Sequence, residues 1–156
     1  MAKELTQTRT TDALNEVLTK TAPEDLDAFL ELNAKKMITQ EKPFAAYMRE
    51  RFREKGLSQQ RVFLAADISE NYGYKIISEE KHTRQRDTIL RLCLASEFSL
   101  EETQKALKTY NMPPLYPRIP RDAVFIIAFN RKIYDIHKVD MLLAEHNMTP
   151  LLPVQQ

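Results

Sequence analysis

The chain has 156 residues, of which 43% are hydrophobic and 29% charged, the balance of a globular rather than a disordered protein. Its formal net charge of +1 gives no overall field that draws it to nucleic acid or to a membrane, so any contact with DNA must come from a local patch. Only two residues are glycine, which argues against β-hairpins and against glycine-rich nucleotide loops.

No segment has the character of a signal sequence or a membrane span. The N-terminal stretch MAKELTQTRT lacks an apolar region, and the longest apolar run, AVFIIAF from Ala123 to Phe129, is far too short to cross a bilayer. We therefore expect a cytoplasmic protein without membrane contact.

The side chains that usually carry catalysis or bind metals are few. The single cysteine, Cys93, excludes an internal disulfide, and its apolar neighbours at helical spacing predict a buried structural thiol. The three histidines, His82, His137 and His146, have none of the spacings of zinc sites. No nucleophile elbow, Walker sequence or dinucleotide fingerprint occurs. The sequence predicts a protein that is not an enzyme and has no catalytic residue, metal or cofactor.

Two acidic helices are predicted before residue 43. Thr11 and Asp12 can cap the first, DALNEVLTK, and Pro23 can open the second, PEDLDAFLELNAKK, whose acidic first turn suits the helix dipole. Apolar residues recur at three- and four-residue spacing in both, which places them on one face of each helix. The positions expected to face a core are Leu14, Val17 and Leu18 in the first helix and Leu26, Phe29, Leu30 and Leu32 in the second.

Three short helices are predicted between residues 43 and 78. The first of them, PFAAYMRERFREK, opens at Pro43 and ends at Gly56. Ser58 caps the next, QQRVFLAAD, and Ser69 caps the third, ENYGYKIIS. So few residues separate the last two that they must cross sharply. The predicted core positions are Phe44, Tyr47, Met48, Phe52, Val62, Phe63 and Ala66.

Four more helices are predicted in the remainder of the chain. One begins at Asp87, DTILRLCLAS, and a capping box of Ser99 with Glu102 opens the next. Asp122 starts DAVFIIAFNRK, which we expect to be the most buried helix of the protein. The last, DIHKVDMLLAEH, runs from about Asp135 to His146. The predicted core positions of the first of these four helices are Ile89, Leu90, Leu92 and Cys93.

Two segments of the C-terminal half resemble each other. ALKTYNMPPLYP (106–117) and LLAEHNMTPLLP (142–153) share Leu, Asn, Met, Pro, Leu and Pro at matching offsets. Each is typical of a helix that stops at asparagine and continues as an extended segment. We interpret the pair as a reused packing device, with a shared ligand site as the alternative, since two copies are too few for a solenoid.

The stretch from residue 57 to 95 reads as helix, short turn, helix, polar arm and helix. LSQ at 57–59 opens the first helix, DIS at 67–69 forms the turn, YGYKIIS at 72–78 ends the second helix, and RDTILRLCLA at 86–95 follows. These residues resemble the helix-turn-helix domain of the phage-repressor-like (XRE-type) regulators, over about residues 44–107. With the acidic helices before and SLEETQKALKTYNMPPLYPRIPRDAVFIIAF after, the chain resembles small uncharacterised helix-turn-helix proteins of Gram-positive bacteria.

The resemblance implies an all-α fold, a compact helical bundle that contains a repressor-like helix-turn-helix with extra N- and C-terminal helices. The implied domains are an N-terminal helical extension (1–42), the helix-turn-helix domain (43–110) and a C-terminal helical extension (111–156). The sequence departs from the family at Asp67, where a turn glycine is usual, and at Gly73, an inner helix position where glycine costs about 1 kcal/mol in helix propensity.

The resemblance also implies a DNA-binding transcriptional regulator, in which the second motif helix lies in the major groove of double-stranded DNA. Asn71 would contact adenine, Lys75 guanine or a phosphate, and Gln59 a backbone phosphate. The arm from Lys81 to Arg91 has four positive groups and one negative, so phosphates are its natural partner. The predicted DNA-binding residues are Gln59, Glu70, Asn71, Tyr72, Tyr74, Lys75, Lys81, His82, Arg84 and Arg86.

A second reading is a helical protein-interaction adaptor whose helix-turn-helix is a scaffold that does not bind DNA. The motif from Leu57 to Asp87 has five positive and five negative groups and is therefore neutral. A protein that only binds DNA would also not need the helices outside the motif. These flanking helices fit a homodimer or a protein partner under either reading.

Overall fold

The computed structural model describes residues 2–34, 37 and 42–154, and within them every regular element is helical, which confirms the predicted all-α class. The chain divides into two compact units, Met1–Gln40 and Glu41–Gln156. The α-helices are α1 (Ala2–Lys20), α2 (Leu26–Leu32), α3 (Pro43–Lys55), α4 (Gln59–Ala66), α5 (Glu70–Ile77), α6 (Arg86–Ala95), α7 (Leu100–Thr109), α8 (Pro120–Asn130) and α9 (Ile136–Glu145).

The first unit corrects two predictions. Helix α1 begins at Ala2 rather than at Asp12, because neither proline nor glycine interrupts the preceding sequence. The second predicted helix starts as a 3₁₀ turn at Pro23 before α2, and the end predicted for it, at 35 and 36, lies outside the described residues. Phe29 is buried, but the other apolar positions predicted to face a core are mostly exposed: Val17, Leu18, Leu26, Leu30 and Leu32.

Helices α3, α4 and α5 confirm their predicted bounds and caps. Helix α3 ends at Gly56, which adopts a left-handed conformation with φ 65°. The hydroxyls of Ser58 and Ser69 each accept a hydrogen bond from a backbone N–H in the first turn of the helix that follows. The predicted core residues that are buried here are Phe44, Met48, Phe52, Val62, Phe63 and Ala66.

Helix α6 lies at the centre of the second unit. It packs against α4, α7 and α9, and every residue from Asp87 to Leu94 is buried. The prediction that α8 is the most buried helix is therefore wrong, and Ile127 of α8 is 56% exposed. The Cys93 thiol is fully enclosed, as predicted, and burial raises its pKa so that it stays protonated.

The residues after 110 belong to the same compact unit as residues 43–110 instead of forming a separate extension. Phe125 of α8 and Leu143 of α9 lie in the same hydrophobic core as α6, together with Leu151 of the C-terminal segment. Continuous apolar contact of this kind makes 42–154 one folding unit among the described residues.

Helices α6–α7 and α8–α9 form two hairpins of the same design. Ser99 caps α7 with the predicted capping box, and the Asp135 carboxylate accepts a hydrogen bond from a first-turn N–H of α9. Each hairpin then ends at an asparagine, Asn111 or Asn147, with φ 58°. Asparagine tolerates this left-handed conformation better than most residues, so it stops the second helix of each hairpin in the same way.

The Pro-Leu segments that follow the two asparagines dock identically. The N–H of Leu115 donates to the Gln104 side chain at 2.8 Å, and the N–H of Leu151 donates to the Asp140 carboxylate at 2.8 Å. In both cases the acceptor stands 11 residues earlier in the chain and the leucine side chain is buried. These contacts support the interpretation of the repeated segment as a packing device.

Two ion pairs join the hairpins reciprocally. The Arg86 guanidinium pairs with the Asp122 carboxylate, and the Arg121 guanidinium pairs with the Asp87 carboxylate at 2.9 Å. Each hairpin thus gives one arginine and one aspartate, as in a two-fold contact between copies. Each guanidinium also donates to two carbonyls of the Pro-Leu segment of its own hairpin, which are those of Pro113 and Pro114 for Arg86 and those of Thr149 and Pro150 for Arg121.

This ion-pair lock predicts a specific loss of stability in acid. Burial opposes ionisation of Asp87, but hydrogen bonds from Arg121 and from the N–H of Leu152 outweigh it and hold the pKa of Asp87 below its ordinary value. A lowered folded-state pKa contributes stability that is present above the unfolded-state pKa of about 3.9 and is lost as pH falls through the folded value. We expect urea titrations between pH 6 and about pH 2 to show a smaller drop in unfolding free energy for Asp87→Asn than for the wild type. The same dependence of unfolding free energy on pH in both proteins would contradict this role of Asp87.

Candidate nucleic-acid interface

Helices α4 and α5 are joined by residues 67–69 and cross at Gly73. A Cβ on Gly73 would lie 2.5 Å from the nearest ring carbon of Phe63, so only glycine permits this approach. The Tyr74 ring packs edge-on against the same phenyl ring, with centroids 5.1 Å apart. The glycine that departs from the family pattern therefore sets the distance between the two helices.

The turn between α4 and α5 uses residue types that tolerate its conformation. Asp67 adopts φ 56° and ψ 48°, the left-handed region in which glycine is usual and aspartate is among the better substitutes. Ile68 is buried in the core below the turn, and Ser69 then caps α5. Glu79, beyond the end of α5, has φ 59° and takes the place of a terminating glycine in the same way.

The start of α5 points its polar side chains away from the core. Glu70 and Asn71 are exposed, and so is Tyr74, apart from its contact with Phe63. Lys75 is half-buried one turn later. These residues form a polar ridge on α5 that reaches from its capped N-terminus toward its last turn.

Two of the predicted site residues face the core in part. Tyr72 packs against the hydrophobic core from α5, so its ring supports the helix. Gln59, in the first turn of α4, is half-buried. The exposed polar surface of α5 is therefore formed by Asn71 and its neighbours rather than by Tyr72.

The basic arm is smaller than the sequence predicts. Lys81 and Arg84 are exposed and form no ion pair with any residue that the structure describes. His82 is also exposed, but its ring stacks on Tyr110 at 4.3 Å between centroids with an interplanar angle of 2°. The prediction that Arg86 belongs to the exposed arm is wrong, because its guanidinium pairs with buried Asp122.

Arg91, counted with the basic arm in the sequence, is also turned inward. It is only 7% exposed, and its guanidinium donates to the carbonyl oxygens of Ala66, Leu151 and Leu152. This residue ties the end of α4 to the C-terminal segment. The outward-facing positive charge of the arm therefore comes from Lys81 and Arg84.

The reciprocal Arg–Asp lock is a structural feature that sequence reasoning missed. An Arg-Asp dipeptide opens α6 and recurs 35 residues later at the start of α8, at Arg86-Asp87 and Arg121-Asp122. This repeat, combined with the recognised Pro-Leu repeat, was a signal for a duplicated hairpin. The structure adds what the spacing alone does not give, namely that each arginine pairs with the aspartate of the other hairpin.

Other kinds of site find little support in the described part of the chain. Residues 2–34, 37 and 42–154 contain no cluster of metal-binding side chains. None of the helices within those ranges is both long and apolar enough to cross a membrane. Comparison with known protein families, curated proteins and solved structures finds no match for this chain.

Proposed function

We propose that this protein is a sequence-specific regulator that binds double-stranded DNA in the cytoplasm through a repressor-like helix-turn-helix formed by α4 and α5. The observation that carries the proposal is the polar ridge of α5. Exposed polar side chains, in particular Asn71, project from α5, and α5 lies close to α4 where the two helices cross at Gly73. A rigidly held helix with exposed polar residues in its first turn suits the major groove.

The proposed contacts divide by chemistry. Asn71 carries an amide that donates to and accepts from the edge of adenine, while Lys75 reaches a guanine or a phosphate. Lys81 and Arg84 contact phosphates on either side of the groove, and Glu70 selects against bases that present acceptors. Lys75, Lys81 and Arg84 give three cations per chain and six in a dimer. A dimer with all six on phosphates should show a slope of log K against log salt of about −5, and a monomer a slope of about −3.

Binding selection from genomic DNA tests the function. Purified full-length protein is mixed with fragmented DNA from its source at about 150 mM salt, where non-specific binding is weak, and the retained fragments are sequenced. We expect one enriched motif, palindromic if the protein binds as a dimer. Retention without a common motif would overturn the proposal.

The variant Asn71→Ala tests the assigned reading residue on the enriched site. We expect cognate binding to weaken by about 1–3 kcal/mol and the preference at one base position to relax, since one bidentate contact is lost. Asn130→Ala, at an exposed asparagine of α8, is the matched control and should leave affinity unchanged. Fluorescence anisotropy with labelled duplexes measures both, and equal affinities would remove Asn71 from this role.

The alternative, a protein-interaction adaptor, is favoured by the inward orientation of Arg86 and Arg91. With these two arginines bound to Asp122 and to backbone carbonyls, the surface near α5 has little net positive charge. An adaptor would give no motif in the selection experiment and would keep its fold in Asn71→Ala.

A further inference from the structure

The duplicated hairpins allow one hairpin to be compared with the other, position by position. The two Arg-Asp dipeptides align α6 with α8 at an offset of 35 residues, and the two N-caps with the two asparagine stops align α7 with α9 at an offset of 36. In the first hairpin, one face is covered by α3 and α4. The same face of the second hairpin has no such cover among the described residues of the second unit.

Where α3 covers α7, two cations of α3 meet one carboxylate of the first hairpin. Glu102 of α7 lies 3.0 Å from the Lys55 amine and 3.8 Å from the Arg51 guanidinium of α3. Tyr47 of α3 donates to the backbone of α7, and Lys105 of α7 lies over its ring. The contact of α3 with this face therefore combines helix packing with pairing of opposite charges.

The second hairpin presents the equivalent face with apolar residues exposed. Ile127 corresponds to Leu92, which is fully buried, yet Ile127 is 56% exposed. Met141 corresponds to Lys105 and is 51% exposed, and Leu142, the counterpart of buried Ala106, is half-buried. Large apolar side chains at matched positions of a duplicated fold indicate a contact surface rather than scattered exposure.

The charge of this face is reversed relative to the first hairpin. Lys138 stands where the first hairpin has Glu102, and His137 stands where it has Glu101. Arg131 is exposed in the connection between α8 and α9. Of the acids of α9, Asp140 is held by the N–H of Leu151, and Glu145 lies in the last turn. Near the start of α9, Arg131 and Lys138 therefore stand beside one carboxylate, Asp135, which already accepts the backbone N–H of Lys138.

We propose that the second-hairpin face, formed by Ile127, Lys138, Met141 and Leu142, binds an acidic amphipathic helix of a partner protein. The shape argument is that the same surface of the first hairpin is built to take packed helices. The charge argument is that α3 places Lys55 and Arg51 against Glu102, so Lys138 at the matched position of the second hairpin favours an acidic cover. This surface is separate from α5, so the proposal does not depend on DNA binding.

A designed peptide tests the surface on the full-length protein. The probe is a fluorescein-labelled synthetic helix with leucine on one face and glutamate on the other, and a second probe has lysine in place of every glutamate. We expect fluorescence anisotropy to give a dissociation constant for the acidic probe at least tenfold lower than for the basic probe. Equal affinity, or no binding of the acidic probe up to millimolar protein, overturns the proposal.

Matched variants place the binding on this face. Ile127→Ser with Met141→Ser should weaken acidic-probe binding at least tenfold, because two apolar contacts are lost. Leu64→Ser removes an apolar side chain that is 83% exposed elsewhere on the molecule and should leave binding unchanged. Lys138→Glu should reduce the preference for the acidic probe. Circular dichroism checks that all variants fold, and equal effects of the Leu64 and Ile127/Met141 variants contradict the assignment.

A second copy of the same chain is the competing occupant of the second-hairpin face. Sedimentation equilibrium of the wild type and of Ile127→Ser distinguishes it, because a dimer that the substitution dissociates would show that a second copy covers this face. That result overturns the partner proposal. A wild type whose association state is the same as that of Ile127→Ser, combined with selective acidic-probe binding, supports it.

Discussion

Replacing Asp122 by alanine is expected to lower the free energy of unfolding by about 3 kcal/mol. Removing one member of a buried ion pair typically costs about 3–5 kcal/mol, and the lower end applies because Arg86 is partly exposed to water. Asp122 is 1% exposed and also accepts the N–H of Tyr116, so its loss leaves two donors without their acceptor. Chemical denaturation monitored by circular dichroism measures the change.

The penalty in Asp122→Ala should arise mainly from the arginine that is left behind. Adding Arg86→Leu removes that charge, so the double variant should be more stable than the sum of the two single changes predicts. Glu145→Ala, which removes an exposed carboxylate from α9, is the control and should change stability by less than about 0.5 kcal/mol. Additive effects of the Asp122 and Arg86 substitutions would show that the pair is not coupled.

The local signals of the sequence predicted the helices of the second unit well. Proline at the start of α3, glycine at its end, and serine caps before α4, α5 and α7 are chemical features that act within one turn. Helix bounds that depend on such nearby groups can therefore be predicted from the sequence alone. In the first unit Pro23 is a signal of this kind, but nothing in the sequence before Asp12 marks where α1 begins.

The sequence could not predict which arginines are exposed and which form internal contacts, because this depends on residues that are distant along the chain. Arg84 and Arg86 stand two positions apart in the same polar stretch, yet one is exposed and the other pairs with Asp122, 36 residues away. Arg91 reaches a carbonyl 61 residues away. Charge counted along the chain therefore overstated the positive surface of the candidate interface.

Apolar periodicity likewise predicted helices better than it predicted burial. The run AVFIIAF gives α8 apolar residues around its whole circumference, but the fold buries most deeply the side that holds Phe125 and Phe129. Among the described residues of the second unit, α3 and α4 pack against the first hairpin, and Ile127 on the second stays 56% exposed. Which copy of a duplicated unit is covered is decided by the flanking chain and not by the unit's own sequence.

The second large effect is expected at Gly73. In Gly73→Ala the added Cβ would lie 2.5 Å from Phe63, a fully buried ring that has no room to move aside. Overpacking of this kind costs about 1–3 kcal/mol. Alanine gains about 1 kcal/mol in helix propensity, so the two terms oppose each other. We expect the clash to win, with a net loss of up to about 2 kcal/mol in unfolding free energy.

A rescue variant separates the clash from other causes. In the Phe63→Leu background the smaller, more flexible side chain makes space, so Gly73→Ala should there be neutral or stabilising. Gly56→Ala is the matched control: nothing lies within 4 Å of its Cβ, but its φ of 65° should cost about 1 kcal/mol in either background. If Phe63→Leu failed to rescue Gly73→Ala, the close approach of α4 and α5 would not be what requires glycine. Under the proposed function, Gly73→Ala should also weaken DNA binding through displacement of α5, and the Phe63→Leu background should restore part of that loss.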